Sequence, residues 1–261
     1  VPAWLIDTRA GRVYRNLVRM RDGDVQRELK MVVTKAFSTL ALDEVGHLAF
    51  TQCRELAEEG AGYSDMMFAV PSRVVANLCG FTTQEGSEAN KLIADFVQCL
   101  PAGASTNQHE RASRAAERLL SLFEAHVRGA ANGQLLEALL KAASDKDWAD
   151  QVALVDNGVG FLSQSYDATA GLIGNTLVTL SRFGGWPSKR ADQFSYLEEV
   201  ARYDAPIQNT RRFANRDLFF LGQKVARGDE LLLLLAAANR DPLANADPDQ
   251  FLPLRQAGRC F

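Results

Sequence analysis

The stretch from Trp148 to Phe183 constrains the fold more than any other part of the chain. It is apolar nearly all round, is punctuated by Gly158, Gly160, Gly171 and Gly174, and is ended by Gly184, Gly185 and Pro187. A helix that is apolar on every side belongs inside a large protein. Glycines along it let another backbone or something flat come close. Gln164, Asp167 and several hydroxyls interrupt the run, so it reads as a buried helix and not as a membrane span.

Shorter helical periods precede it: Val25 to Phe37, Leu42 to Glu59, Pro71 to Leu78, Thr83 to Leu100, Ala112 to Val127 and Leu135 to Ala143. Ala102 to Gln108 reads as a polar loop, and Gln193 to Tyr203 as one more amphipathic helix. After that the texture changes. Asn209 to Ala214 and Leu218 to Leu221 read as extended pieces, Arg227 to Asp229 as a turn, and the two Asp-Pro pairs at 241 and 247 as loops. The expected fold is therefore mainly α with a small β portion near the end. With 261 residues, 47% of them hydrophobic, the chain has material for one sizeable core, and residues 1–261 are read as a single domain.

A net charge of -3 supplies no strong positive field, so nucleic acid is not an expected partner. No polybasic run points to a membrane surface, and the most apolar run, Leu231 to Ala238, is too short to cross a bilayer. No signal peptide opens the chain, and a first residue of Val suggests sequence upstream; a cytoplasmic protein is expected from the cysteines. Cys53, Cys79, Cys99 and Cys260 form no C-x-x-C pair and read as reduced thiols. His47, His109 and His126 lie far apart in polar stretches and read as surface residues, not metal ligands.

One short motif gains meaning from its sequel. Glu199 and Arg202 lie three apart on one helix face, a spacing that by itself suggests a surface pair worth ~0.3 kcal/mol. The continuation reads LEEVARYDAPIQNTRRFANRD and then GQKVARGDELLLLLAAANRDPLANADPDQFLPLR. Upstream, Gly160 to Thr176 reads GFLSQSYDATAGLIGNT, and Asp22 to Phe37 reads DGDVQRELKMVVTKAF. In this order the segments resemble the cytochrome P450 family, bacterial type, over nearly the whole chain.

The resemblance implies a cytochrome P450-like fold, incomplete at both ends, and a haem cofactor. It implies a monooxygenase that inserts one atom of dioxygen into a small apolar organic substrate. Electrons would come from a separate ferredoxin- or flavoprotein-type donor, and the protein would be a monomer. The fragment alone is expected to be inactive. Glu199 and Arg202 become a buried structural pair. Asp167 falls on the acid of the family's central helix, Ala168 stands where the family usually has Thr, and Thr169 follows it. Gln26 and Lys30 fall on the family's H-x-x-x-R positions, and Arg212 on a further arginine that binds a haem propionate. Gln250 takes the place of the last structural arginine of the family, with Arg255 nearby. The cysteine that would ligate iron is expected beyond Phe261, so the chain itself offers no metal ligand; Cys260 precedes that loop and reads as a packing residue.

Two consequences follow. Neighbouring helix positions point about 100° apart, which turns Thr169 away if Asp167 and Ala168 flank the haem. Ser165 is badly placed as well, so the proton relay is expected from a substrate hydroxyl. The departures at Ala168, Gln26, Lys30 and Gln250 also keep open a non-catalytic scaffold that has the fold and has lost haem chemistry.

Overall fold

Ser105 opens the 23-residue helix α6 (Thr106–Arg128) with a capping box. The Ser105 hydroxyl accepts from the Gln108 amide N–H, and the Gln108 side chain accepts from the Ser105 amide. This start lies inside the stretch that the sequence presents as a polar loop. The same device, Thr82 with Glu85, starts α5 (Thr83–Val97). Each box satisfies amides that a helix N-terminus would otherwise leave unpaired.

The structure is a computed structural model and describes residues 3–101, 103–129, 133–255 and 260. The other helices of the first unit are α1 (Arg9–Asn16), α2 (Gly23–Phe37), α3 (Leu42–Glu58), α4 (Tyr63–Leu78) and α7 (Gln134–Ser144). Pro71 sits inside α4, not at its start. Contacts divide the chain into two compact units, Val1–Asp167 and Ala168–Phe261, with the boundary inside the long helix α8 (Gln151–Phe183).

In the first unit the core gathers Tyr14, Leu17, Leu29, Ile93, Phe96, Leu119, Phe123, Leu139 and Leu162 among many others. Asp150 caps α8, accepting a hydrogen bond from the Ala153 amide. The glycines of α8 do admit close neighbours, and those neighbours are side chains. A Cβ at Gly158 would lie 2.6 Å from the Phe123 ring, and one at Gly160 would lie 2.5 Å from Leu17.

The second unit holds the rest of α8, α9 (Arg190–Tyr203), four short strands and the one-turn helix α10 (Leu235–Ala238). A Cβ at Gly171 would meet Pro206 at 3.0 Å. Strand β1 (Thr210–Phe213) pairs antiparallel with β4 (Glu230–Leu233), with Arg212 opposite Leu231. Strands β2 (Leu218–Phe220) and β3 (Gln223–Val225) form a hairpin turned by Leu221 and Gly222, both at positive φ. The apolar run 231–238 is thus split between a strand and a helical turn, neither of which spans a membrane. Among the described residues no helix is long and apolar enough to do so.

Candidate functional site

Glu199 and Arg202 are buried side by side on α9, and the i,i+3 spacing brings them together as a two-point ion pair. Arg202 donates from Nε to Glu199 Oε2 at 2.7 Å and from Nη2 to Oε1 at 2.8 Å. Its remaining N–H groups reach the carbonyls of Asn239, Pro248 and Gln250 at 2.9–3.0 Å. All five guanidinium donors are therefore used, a demand only arginine meets.

Arg255 supplies a second guanidinium to the same carboxylate. Its Nε lies 3.0 Å from Glu199 Oε2 and 3.2 Å from Oε1, and its terminal nitrogens donate to the carbonyls of Ala246, Asp247 and Gln250. The Leu252 amide adds a hydrogen bond at 2.8 Å. Burial by itself raises the Glu199 pKa, but the bonds from Arg202, Arg255 and Leu252 outweigh it and hold the carboxyl below its ordinary value. Gln250, at the position where the sequence suggests a third arginine, contributes its backbone carbonyl to both guanidiniums. Arg240 fastens the same loop by donating to the Tyr203 carbonyl and to Asp249, while it lies 4.0 Å above the Tyr203 ring. Phe251 packs on Phe183, Tyr196 and Tyr203. The loop from Asn239 to Arg255 is thereby pinned to α9 through Tyr196, Glu199, Arg202 and Tyr203.

On α8, Asp167 and Thr169 are both exposed and Ala168 is half-buried. Two residues apart on a helix, Asp167 and Thr169 face roughly opposite sides. Surrounding protein raises the Asp167 carboxyl pKa through desolvation, and among the described residues no hydrogen bond or ion pair offsets this. The hydroxyls just before it are committed to the helix itself. Ser163 donates to the Gly160 carbonyl, Gln164 to the same carbonyl at 3.1 Å, and Ser165 to Leu162 at 2.9 Å. Ser165 thus has its one proton committed to the helix and can serve an outside group only as an acceptor.

Gln26 and Lys30 lie one turn apart on α2, half-buried and exposed respectively, and among the described residues neither has a hydrogen bond or ion pair. Arg212 is exposed on β1 and donates to the Thr210 hydroxyl and the Arg211 carbonyl. Cys260 is exposed, which removes it from packing. Gly258, Arg259 and Phe261 lie outside the described residues. Two histidines are more engaged than surface residues: His109 stacks on Trp4, and His126 stacks on Phe81 with Nε2 3.3 Å from Glu85. No group among the described residues is arranged to hold a metal ion.

No protein-family model matches the chain. A curated relative, putative cytochrome P450 133B2 of Xylella fastidiosa, is 26% identical over 260 residues, covering 94% of this chain and 65% of its own length. Protein AknT of Streptomyces galilaeus is 37% identical over 134 residues, 48% of this chain and 29% of its own. The crystal structure of CalO2 superposes with a TM-score of 0.80 at 24% identity, covering 96% of this chain and 66% of that one. The chain thus spans about 65% of the first relative's length.

Proposed function

Since this chain belongs to the cytochrome P450 family, we propose that it is the larger part of a haem-dependent monooxygenase acting on a small, mainly apolar organic substrate that carries a hydroxyl. The observation that carries the reading is the Glu199–Arg202–Arg255 network. It fixes the loop 246–252 with a buried, fully hydrogen-bonded carboxylate, and by resemblance that loop leads toward the iron-ligating cysteine.

The residues at hand fit one half of a haem. The group carries two carboxylates; by resemblance, Lys30 and the Gln26 amide in the first unit would offer a cation and a neutral donor to a carboxylate, and Arg212 in the second unit would offer a cation. None of the described residues provides an axial ligand at the position the family uses. Bound haem would supply the iron at which dioxygen is activated. The chain's own part is narrower. Asp167, with its raised pKa and exposed carboxyl, holds or passes a proton at its Oδ atoms. With Ala168 beside it and Ser165 bonded back to Leu162, a substrate hydroxyl completes the relay. We further propose a single catalytic domain, a monomer in the cytoplasm, and electrons from a ferredoxin- or flavoprotein-type donor. The test is spectroscopic. The protein continued by its native downstream sequence is reduced under carbon monoxide, and a thiolate-ligated ferrous carbonyl spectrum is expected. Absence of haem from a folded protein would overturn the reading.

A second reading has specific support: a P450-fold protein that acts without haem chemistry. Ala168 removes the usual alcohol, and Gln164 and Ser165, at the pair of positions where small residues usually stand, bond back to the Gly160 and Leu162 carbonyls. Gln26 and Lys30 depart from the usual propionate pair. The same spectrum separates the two readings.

A further inference from the structure

Residues Arg12 to Val18 lie along the first turns of α8 and are tied to it by side chains. The Asn157 side chain accepts from the Val18 amide at 3.0 Å and donates to the Asn16 carbonyl at 2.9 Å. Asp156 accepts at Oδ2 from the Asn16 amide group and from Arg12 Nε. Between these contacts Leu17, fully buried, fills the space left by Gly160. Arg21 ends the segment, donating to Asn16 and to Asp150. The segment therefore carries three buried apolar residues, Val13, Tyr14 stacked on Phe96, and Leu17, with a polar catch on each side of Leu17.

The two catch residues differ. Asn157 has its donor and acceptor matched. Asp156 is a carboxylate with no exposed surface whose Oδ1 receives no hydrogen bond among the described residues, although Arg12 Nη2 comes within 3.2 Å of it. Arg12 itself is 31% exposed, so much of its charge is spent on water. Burying a carboxylate with this few donors is costly.

We propose that Arg12 to Val18 opens and closes as one strap on α8, with Asp156 as its proton-linked catch: closing takes up a proton, and raising the pH loosens the strap. The charged groups facing Asp156 are Arg12 on α1 and Asp150 just before α8, with Arg21 held on Asp150. Burial is the largest influence on Asp156 and raises its pKa; Asn16 and Arg12 pull the other way and Asp150 adds to the rise. A carboxyl that titrates higher when closed binds more protons in the closed form between the two pKa values, so closure weakens as pH rises through that interval. The strap leads through the 3-10 turn Val18–Met20 and Arg21 to α2, so its opening would loosen the approach to the helix that carries Gln26 and Lys30. The device stands whether or not the chain binds haem.

Amide hydrogen exchange on the chain as it stands tests this, with rates expressed as protection factors so that the intrinsic pH dependence of exchange cancels. Val18 protection is expected to fall as pH rises, by up to about tenfold for each unit separating the open and closed pKa values. Leu162, in the α8 core, serves as reference and should not follow. Asp156→Asn is expected to keep Val18 protected at every pH. Arg12→Gln, which removes the opposing cation, should move the midpoint upward. The same slope in Asp156→Asn, protection that is flat or rises with pH in the unaltered chain, or an unmoved midpoint in Arg12→Gln each overturns the proposal. Arg12→Gln decides alone if Asp156→Asn does not fold.

Discussion

Glu199 and Asp156 are both carboxylates buried beside arginines, yet their environments push them in opposite directions. Glu199 receives donors from two buried guanidiniums and a backbone amide, and its pKa falls. Asp156 receives an amide group and one half-solvated guanidinium, has an oxygen without a hydrogen bond, and its pKa rises. Burial costs both of them; the donor count decides the sign. A buried carboxylate near arginine is thus a rigid fixture or a releasable one according to how completely its lone pairs are met.

The comparison breaks first at Arg202. Arg202→Ala strips the loop carbonyls of their donors and leaves Glu199 short of a partner, at an expected cost of roughly 3–5 kcal/mol. Urea unfolding of the chain measures it, and a loss below about 1 kcal/mol would make the pair an ordinary surface contact. Arg255→Ala should cost less, about 1.5–3 kcal/mol, because Arg202 still neutralises Glu199. If the two substitutions cost the same, the network is a symmetric triad and not a pair with a reinforcing third member. The smallest effect is the pH dependence. The depressed pKa of Glu199 contributes stability that is present above its ordinary value of 4.5 and is lost as pH falls through the lower folded value. An acid limb of the thermal unfolding midpoint that is identical in Glu199→Gln would show that other carboxylates set it.

Local signals made much of this legible from the sequence. The period and glycine punctuation of Trp148 to Phe183 predict a helix within a few residues of the observed α8. Glu199 and Arg202 are found because their partnership is encoded by spacing within one helix. The start of α6 was hidden by its own capping box, since Ser, Thr, Asn and Gln look like loop while they are the residues that begin helices. Pro71 misled in the opposite sense: proline is favoured at a helix start, and here the apolar face of Tyr63 to Leu78 carries the helix through it. Helix α1, capped by Thr8, and strands β3 and β4 gave too short a period to be seen. The partnership of Asp156 with Asn16 joins residues distant in sequence, and no local pattern announces it; Arg255 could be offered only through the resemblance, as a stand-in for the family arginine that joins the Glu199–Arg202 pair, and it does bind Glu199.

The contact between Gly160 and Leu17 has a consequence for how such chains diverge. The methyl that any other residue adds at 160 would overlap Leu17, so the two positions cannot drift independently. A lineage that gains alanine at 160 must turn or shorten the side chain at 17, whose Cδ2 is the atom in the way. Aligned relatives should therefore show the pair exchanging volume, small with large and large with small, as a correlated substitution between two positions that no reading of either neighbourhood would connect.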